Sequence, residues 1–344
     1  MSSMLKKLFF AFTLLISMVS VAQTGGTATY QALNSFYSAR QLGMSGNLIN
    51  SRDNDINLTF SNPASLNPEM NYRGSLSENI RGGGINAGSI AYGRTFNKTM
   101  GAAHFRYISY GSMRRTDKLG NDLGTFNPGD YILGASASRL INERMSIGAT
   151  FNLIYSQLDS YFSIGNSIDI GGQYFNDEKD FVLGGVVKNL GFQWKGYTAE
   201  RAPLPLEIQI GVSKKLSHAP FRFYVTAQHL QQWDLSYVDP NAKDKIDALT
   251  GDTVKVKRAG FIEKVARHAL VQTEINLGKK VYIRVGLDIQ RRLEMRVANR
   301  PGLAGFSFGT AFHLKRFSFE YGWMIYSAAG SQHGITFSMP IGQK

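Results

Sequence analysis

The side chains that could carry catalytic or metal-binding chemistry are few and scattered along this sequence. There is no cysteine, which excludes a thiolate nucleophile, a disulfide and a cysteine-held metal. Six histidines occur, none at the spacing of metal ligands: His104, His218, His229, His268, His313 and His333. We expect them to be ordinary strand or turn residues. The sequence therefore predicts no catalytic residue, no metal, no cofactor and no enzyme activity.

One acidic stretch imitates the start of a calcium-binding loop. Asp53, Asp55 and Asn57 stand where the first, third and fifth ligands of such a loop would be. The match then ends, because Leu58 replaces the glycine that the loop needs and Ala64 replaces its bidentate glutamate. We interpret the stretch as a turn without a bound cation.

The N-terminus is predicted to be a secretory signal peptide over residues 1–22. Lys6-Lys7 precede an apolar run over 8–18, and a cleavage site of small residues ends at Ala22. The apolar run is too short to cross a bilayer as a helix, which takes about 20 residues, although a retained anchor helix is the alternative. Without cysteine, a lipid-anchored lipoprotein is excluded. Cleavage of 22 of the 344 residues leaves a mature chain of 322.

The second half of the chain alternates apolar and polar residues with a period of two, which predicts β-strands. Four stretches show this most clearly: 206–213, 268–277, 281–290 and 317–326. Their length approaches the roughly nine to eleven residues with which a tilted strand crosses a bilayer. No stretch after Met18 approaches a membrane-spanning helix. A membrane β-barrel has this pattern, because its strands alternate lipid-facing and lumen-facing residues.

The number of such segments predicts an all-β fold, a transmembrane antiparallel β-barrel of about fourteen strands over residues 71–344. An even number of strands suits closure into a barrel. The predicted strands lie near 71–80, 84–96, 101–110, 130–140, 145–157, 164–175, 180–188, 205–216, 220–228, 266–278, 281–291, 303–314, 316–326 and 333–341. The 22 Phe, 16 Tyr and 3 Trp are expected to supply the interfacial girdles and the lipid-facing band.

The predicted connections alternate between short and long. The short ones are 97–100, 141–144, 176–179, 217–219, 279–280 and residue 315, and the long ones include 111–129, 189–204, 229–265 and 292–302. Outer-membrane barrels have short periplasmic turns and longer outer loops. The pattern predicts a protein of the cell outer membrane with its N- and C-termini in the periplasm. A soluble barrel or propeller is the alternative.

Residues 23–70 lack the strand pattern and are predicted to form an N-terminal plug, or hatch. They carry turn signals at Asn62-Pro63 and Asn67-Pro68. A lumen of fourteen strands is wide enough to leak water unless something fills it. The alternative is a disordered periplasmic tail. The carboxylates predicted to face the lumen are Asp169, Glu207, Glu274, Asp288 and Glu320.

The longest predicted loop, 229–265, is the first candidate for binding a partner, because long loops on a rigid scaffold often carry function. A mobile, solvated loop is the alternative. The formal net charge of +13 favours attraction to outer-membrane lipid and lipopolysaccharide, or merely solubilises the loops. No nucleic-acid recognition motif appears. The candidate partner-binding residues are Trp233, Asp234, Tyr237, Lys255, Lys257, Arg258 and Phe261.

Two groups of short motifs resemble a known family. The first group is 36–43 (Phe-Tyr-Ser-Ala-Arg-Gln-Leu-Gly), 53–55 (Asp-Asn-Asp) and 62–64 (Asn-Pro-Ala). It resembles the plug region of the PorV/PorQ branch of FadL-like barrels, which belong to the type IX secretion system of Bacteroidetes. The plug-motif residues carried over are Ser38, Ala39, Arg40, Gly43, Asn62 and Pro63.

The second group is similar to the PorQ-type members of that branch. It comprises 217–221 (Ser-His-Ala-Pro-Phe) with Thr226, 233–235 (Trp-Asp-Leu), 169–171 (Asp-Ile-Gly) and 188–191 (Lys-Asn-Leu-Gly). Together the two groups extend the resemblance over nearly all of the mature chain.

The resemblance implies a non-catalytic, fourteen-stranded barrel in a surface-attachment complex with PorU, PorV and PorZ. That complex removes the C-terminal signal of secreted cargo and attaches the cargo to anionic lipopolysaccharide. A PorQ-type barrel is expected to anchor a PorZ-like surface protein. The chain departs from many outer-membrane barrels because it ends at 341–344 (Ile-Gly-Gln-Lys) without a terminal aromatic residue.

A rival hypothesis is FadL-type transport of hydrophobic small molecules. Transport needs an apolar pocket against the plug and a lateral gap in the wall. A kinked strand at Gly82-Gly83-Gly84 or at Gly171-Gly172 could provide the gap. An open porin is a third hypothesis, weakened if residues 23–70 fill the lumen.

Overall fold

The computed structural model describes residues 28–237, 245–246, 253–254, 259–278, 280–296, 302–328 and 330–342. The predicted signal peptide over 1–22 lies outside the described residues, as do Lys255, Lys257 and Arg258 of the predicted binding loop.

Fourteen strands form a single sheet in which each strand is antiparallel to the next. They are β1 (Arg73–Arg81), β2 (Asn86–Phe96), β3 (Thr99–Ser109), β4 (Gly129–Asn142), β5 (Met145–Leu158), β6 (Tyr161–Asn176), β7 (Phe181–Lys195), β8 (Glu207–Lys215), β9 (Phe221–Ala227), β10 (Ala269–Leu277), β11 (Val281–Asp288), β12 (Phe306–His313), β13 (Ser318–Ser327) and β14 (Gly330–Pro340). The last strand pairs with the first, from Arg73 opposite Pro340 to Arg81 opposite Gln332, which closes the barrel. The prediction of a closed fourteen-stranded antiparallel barrel is confirmed.

Apolar side chains face out of the barrel and polar side chains face in. In β5, the outward Ile147 and Phe151 are 52% and 47% exposed, whereas the inward Thr150 and Asn152 are buried. A soluble barrel would bury its apolar face, so this inversion is the pattern of a barrel surrounded by lipid. It also explains how a membrane protein has a mean hydropathy of −0.18.

The short-turn end of the barrel, as we name it here, has only short connections, whereas the long connections lie at the opposite, long-loop end, which also has short turns such as 159–160. Two-residue turns at 97–98 and 143–144 are typical of the short-turn end. The connections 196–206 and 228–268 belong to the long-loop end. The long-loop end also carries a hairpin of Met113–Thr116 with Asp122–Phe126, and a small one of Lys245–Ile246 with Thr253–Val254. Two short helices complete it, α2 (Phe261–Arg267) and α3 (Ile289–Met295).

Short helices explain why two of the predicted strands were too long at this end. The segment predicted as strand 281–291 leaves the sheet at Asp288, whose side chain accepts a hydrogen bond from the backbone N–H of Arg291 and so begins α3. The segment predicted as strand 266–278 begins only at Ala269, because α2 continues to Arg267.

The predicted strand 180–188 was too short by the widest margin. β7 does not end at Lys188 but continues to Lys195. Asn189 adopts a left-handed conformation with φ of +64° and donates its backbone N–H to Asp169 Oδ1 at 2.7 Å. This β-bulge places two consecutive buried residues, Lys188 and Asn189, where strict alternation would predict only one.

Residues 28–72, named here the lumenal segment, lie inside the barrel. The segment contains α1 (Ala39–Gly43) and the 3₁₀ turns Gln31–Asn34, Ile56–Phe60, Pro63–Ser65 and Pro68–Met70. Its apolar side chains form most of the buried hydrophobic cluster, to which the inner wall adds Ile108, Ile132 and Ile154. The barrel interior is thus a packed core, not an empty channel.

The lumenal segment runs from one end of the barrel to the other. The backbone N–H of Thr29 donates to Pro203 O at the long-loop end, whereas that of Ile341 donates to Tyr72 O at the short-turn end, where β1 begins. Thr29 and Ile341 therefore lie at opposite ends of the barrel, and the predicted periplasmic location of both termini stays a prediction. About 45 residues with several turns are long enough to cross the lumen before entering β1.

Candidate functional site

Arg40 forms ion pairs both within the lumenal segment and with the barrel wall. Ser38 begins α1 with a capping box, in which its hydroxyl accepts from the N–H of Gln41. In the first turn of α1, the buried Arg40 guanidinium lies 2.8 Å from Asp53 Oδ2 and 3.4 Å from Asp55 Oδ2. The acidic stretch interpreted as a turn does contain one, since Asp55 caps the next 3₁₀ turn. Its carboxylates also serve as counterions of Arg40.

A second arginine continues this ionic cluster into the wall. Arg40 Nη2 is 3.4 Å from Glu274 Oε2, and Arg284 lies 2.8 Å from Glu274 and 2.8 Å from Glu320. These wall residues come from β10, β11 and β13 and are buried. Burial alone would raise the pKa of the Asp53 carboxyl, but the Arg40 guanidinium outweighs it and holds that pKa below its usual value. The cluster ties the segment to the wall through Arg40 and Glu274, and Arg284 extends it to Glu320.

Asn62 and Pro63 fix the opposite side of the segment against the wall. Asn62 Nδ2 donates to Ile49 O at 2.9 Å, and its Oδ1 accepts from the N–H of Ala64 at 3.0 Å. A Cβ on Gly171 would lie 1.9 Å from Asn62 Oδ1, and one on Gly148 would lie 2.5 Å from the carbonyl carbon of Pro63. Glycines in β5 and β6 make room for this turn.

An exposed apolar surface covers part of the long-loop end. We define the rim patch as Trp233, Tyr237, Phe261, Ile262 and Val265, which are 58%, 75%, 71%, 82% and 45% exposed. The Trp233 and Phe261 rings pack with centroids 5.9 Å apart. A contiguous exposed surface of this kind commonly marks an interaction site.

Ion pairs and hydrogen bonds hold the rim patch in place. Lys264 Nζ lies 2.5 Å from Asp234 Oδ2, and this contact lowers the pKa of Asp234 to about 2. Arg267 contacts Glu263 at 2.8 Å and Glu294 of α3 at 3.7 Å. His268 Nε2 lies 3.2 Å from Trp233 O. The helix that carries the patch is thus attached both to the preceding loop and to α3.

A polar cavity of about 300 Å³ lies beneath this rim. His229 Nδ1 and Glu207 Oε2 are 2.6 Å apart in its wall. Burial alone would lower the pKa of His229, but the Glu207 carboxylate raises it above its usual value. Amide and charged side chains dominate the lining, which is Gln31, Asn34, Phe36, Asn47, Glu207, Gln209, Gln228, His229, Asp288, Gln290, Arg291, Glu294, Met295 and Tyr326. It offers polar contacts, not an apolar binding pocket.

The structure brings together some of the sequence-predicted site residues. Trp233, Asp234 and Phe261 share one surface, and Tyr237 is exposed at its edge. Sequence reasoning missed Ile262, Val265 and Lys264, although a helical spacing places Phe261 and Val265 on one face. The predicted lumenal carboxylates Asp169, Glu207, Glu274, Asp288 and Glu320 are all buried.

Two further observations concern the described part of the chain only. It contains no group of three or more His, Cys, Asp or Glu side chains that could hold a metal ion. No helix in it is long and apolar enough to cross a membrane.

The barrel is similar to solved structures of transport proteins. The toluene transporter TodX of Pseudomonas putida aligns with a TM-score of 0.54 and 12% identity, over 89% of this chain and 96% of TodX. The monoaromatic hydrocarbon channel CymD aligns with a TM-score of 0.50 and 14% identity, over 88% of this chain and 96% of CymD. No family model and no curated protein matches the sequence. At these identities the likeness shows the fold, that of a FadL-like outer-membrane barrel.

Proposed function

We propose that this chain is a PorQ-like barrel of the type IX secretion system and anchors a PorZ-like protein at the cell surface. The observation that carries the proposal is the rim patch, an exposed apolar surface that ion pairs fix on a closed barrel. PorU and PorV would complete the same attachment complex, with lipopolysaccharide nearby. In this proposal the long-loop end faces outward and the barrel performs no catalysis and binds no nucleic acid.

The composition of the rim patch supports protein binding. Trp233, Tyr237 and Phe261 are large, comparatively rigid side chains of the kind that dominate interface energetics. Asp234, Lys264 and Glu263 surround them with charge, so the surface has the apolar centre and polar edge of a protein interface. The ion pairs within the rim, such as Lys264–Asp234, order this surface before binding. This reduces the entropy lost on association.

The lumenal segment would act as a plug in this function. It fills the barrel with packed side chains and is tied to the wall by the ionic cluster around Arg40. A barrel of this kind is a support, in which closure satisfies the hydrogen bonds of every strand in lipid.

The test is a mild-detergent purification of the tagged protein from its native outer membrane, followed by mass spectrometry. We expect stoichiometric recovery of one large surface protein, reduced at least tenfold by Ile262→Glu, since a charge placed in an apolar interface centre is buried without a partner. Leu119→Glu is the matched control, because Leu119 is 88% exposed on a different long connection, between β3 and β4. Equal recovery of the surface protein with the unmodified barrel, Ile262→Glu and Leu119→Glu would contradict the proposal.

Transport of hydrophobic molecules is the second candidate, favoured by the fold that this chain shares with TodX and CymD. The described residues place a polar cavity, not an apolar one, beside the lumenal segment at the long-loop end. Gly82–Gly84 form the turn between β1 and β2, and Gly171 packs on Asn62. Neither of these two glycine sites, which were the candidates for a lateral gap, opens the barrel wall. Purified barrel that retains a stoichiometric hydrophobic ligand, and no protein partner, would favour transport.

A further inference from the structure

A second cavity, of about 400 Å³, lies at the short-turn end, opposite the rim. The lumenal segment forms one side of it and the ends of β2, β3 and β4 form the other. Its lining is Arg52, Leu66, Pro68, Thr95, Asn97, Lys98, Met100, Ser138, Arg139, Leu140 and Ile141. Nothing in the proposed partner binding uses this end of the molecule.

The lining is basic and contains no carboxylate. Its charged residues are Arg52, Lys98 and Arg139. Within the described part of the chain, none of the three takes part in a salt bridge. The lining differs in this respect from the ionic cluster around Arg40 and Arg284, each of which contacts two or more carboxylates.

Arg52 is the clearest sign of a missing anion. Its guanidinium lies over the Phe175 ring, 3.9 Å from the centroid, and its Nη1 is buried without a hydrogen-bond partner. Burial lowers the pKa of this guanidinium, and Asp177 and Glu69 offset that effect only from beyond ion-pair distance. A guanidinium that lines a cavity without a carboxylate partner can take a bound oxyanion as its counterion.

The other side of the cavity is apolar and reaches the lipid-facing wall. Leu66, Pro68 and Met100 line it from within, and Leu140 and Ile141 are 45% and 58% exposed at the end of β4. A ligand that fits both sides carries an anionic group at one end and an apolar chain at the other. We propose that this cavity binds the phosphate group of an anionic phospholipid, with Arg52 as the main phosphate ligand and Lys98 assisting from the turn.

Native mass spectrometry of the detergent-purified full-length barrel tests this proposal. The probes are phosphatidylglycerol, phosphatidylcholine with the same acyl chains, and inorganic phosphate. We expect phosphatidylglycerol to bind at least tenfold more tightly than phosphatidylcholine. Arg52→Gln should weaken its binding about tenfold, and Lys98→Gln should weaken it severalfold, because each removes a charge-assisted contact.

Lys315→Gln is the matched control, since Lys315 lies in another short turn at the same end and outside the cavity. Retention of the compact barrel band in unheated gels shows that each variant is folded, and Lys98→Gln keeps the test valid if Arg52→Gln misfolds. Inorganic phosphate that binds with the same dependence on Arg52 would support the phosphate site but assign its ligand to the free ion. Equal phosphatidylglycerol binding by all variants and the control, or no preference over phosphatidylcholine, would overturn the proposal.

Discussion

At the scale of single residues, the arrangement of buried charge distinguishes this barrel interior from a water-filled pore. Arg40 is only 3% exposed and depends on Asp53, Asp55 and Glu274 for its stability. The sequence indicated Arg40 and Asp53 as motif residues and Glu274 and Glu320 as lumen-facing, but not their pairing, because the segment and the wall residues become neighbours only when the barrel closes around the segment. The acidic stretch 53–57 could be recognised as a turn from its sequence, but Arg40 could not be recognised as its counterion.

Replacing Arg40 should loosen the lumenal segment. Arg40→Gln leaves Asp53 and Asp55 without an ion-pair partner, and removing one partner of a buried ion pair costs about 3–5 kcal/mol, less here because Asp53 is 38% exposed. We expect a lower midpoint of urea unfolding and faster protease cleavage within residues 28–72. Arg316→Gln, in an exposed short turn, is the control and should change stability by no more than about 0.5 kcal/mol. Unchanged cleavage in Arg40→Gln would show that the cluster does not hold the segment.

Because of the His229–Glu207 pair, we expect the local stability of the rim near residue 229 to depend on pH. Glu207 raises the pKa of His229 in the folded protein above the ordinary value of 6.5. The stabilisation is therefore complete below that ordinary value and is lost as the pH rises through the raised folded value. Amide hydrogen exchange in residues 228–234, corrected for its intrinsic pH dependence, should become faster over this interval. In His229→Gln, the corrected exchange rate should not change over the same pH interval. A change that persists in this variant would show that another group causes it.

At the scale of elements, the period of two located the strands well, and its failures have local causes. β5 was predicted over 145–157 and ends at Leu158, only one residue further. β7 was truncated because the bulge at Asn189 interrupts alternation without ending the strand. α2 was missed because only seven residues form it, too few for a convincing helical period.

Close approach between α1 and the wall provides a test at this scale. A Cβ on Gly322 of β13 would lie 2.0 Å from Ala39 O, a backbone atom that has little freedom to move. Gly322→Ala should therefore destabilise the barrel by about 1–3 kcal/mol through overpacking. Gly172→Ala, whose Cβ would meet nothing closer than 3.9 Å, is the matched control. Equal thermal midpoints for the two variants would contradict the described packing of α1.

At the scale of the whole molecule, the closed barrel places two unlike surfaces at its two ends. The long-loop end has the ion-paired rim patch above a polar cavity, and the short-turn end has the basic cavity around Arg52. Sequence patterns could predict the barrel and which end has long connections, since both depend on local periodicity and turn length. They could not predict the path of the lumenal segment from one end to the other, which depends on contacts with most of the wall.

Photo-crosslinking in intact cells tests the central claim, that the rim patch holds a surface protein, most directly. Benzoylphenylalanine would replace Phe261 in one strain and Leu119, an exposed residue of the connection between β3 and β4, in a second. The account predicts one dominant crosslinked protein of large mass from position 261, identified by mass spectrometry as a PorZ-like surface protein, and no such product from position 119. Crosslinks from position 261 to lipid alone, or the same products from both positions, would contradict it.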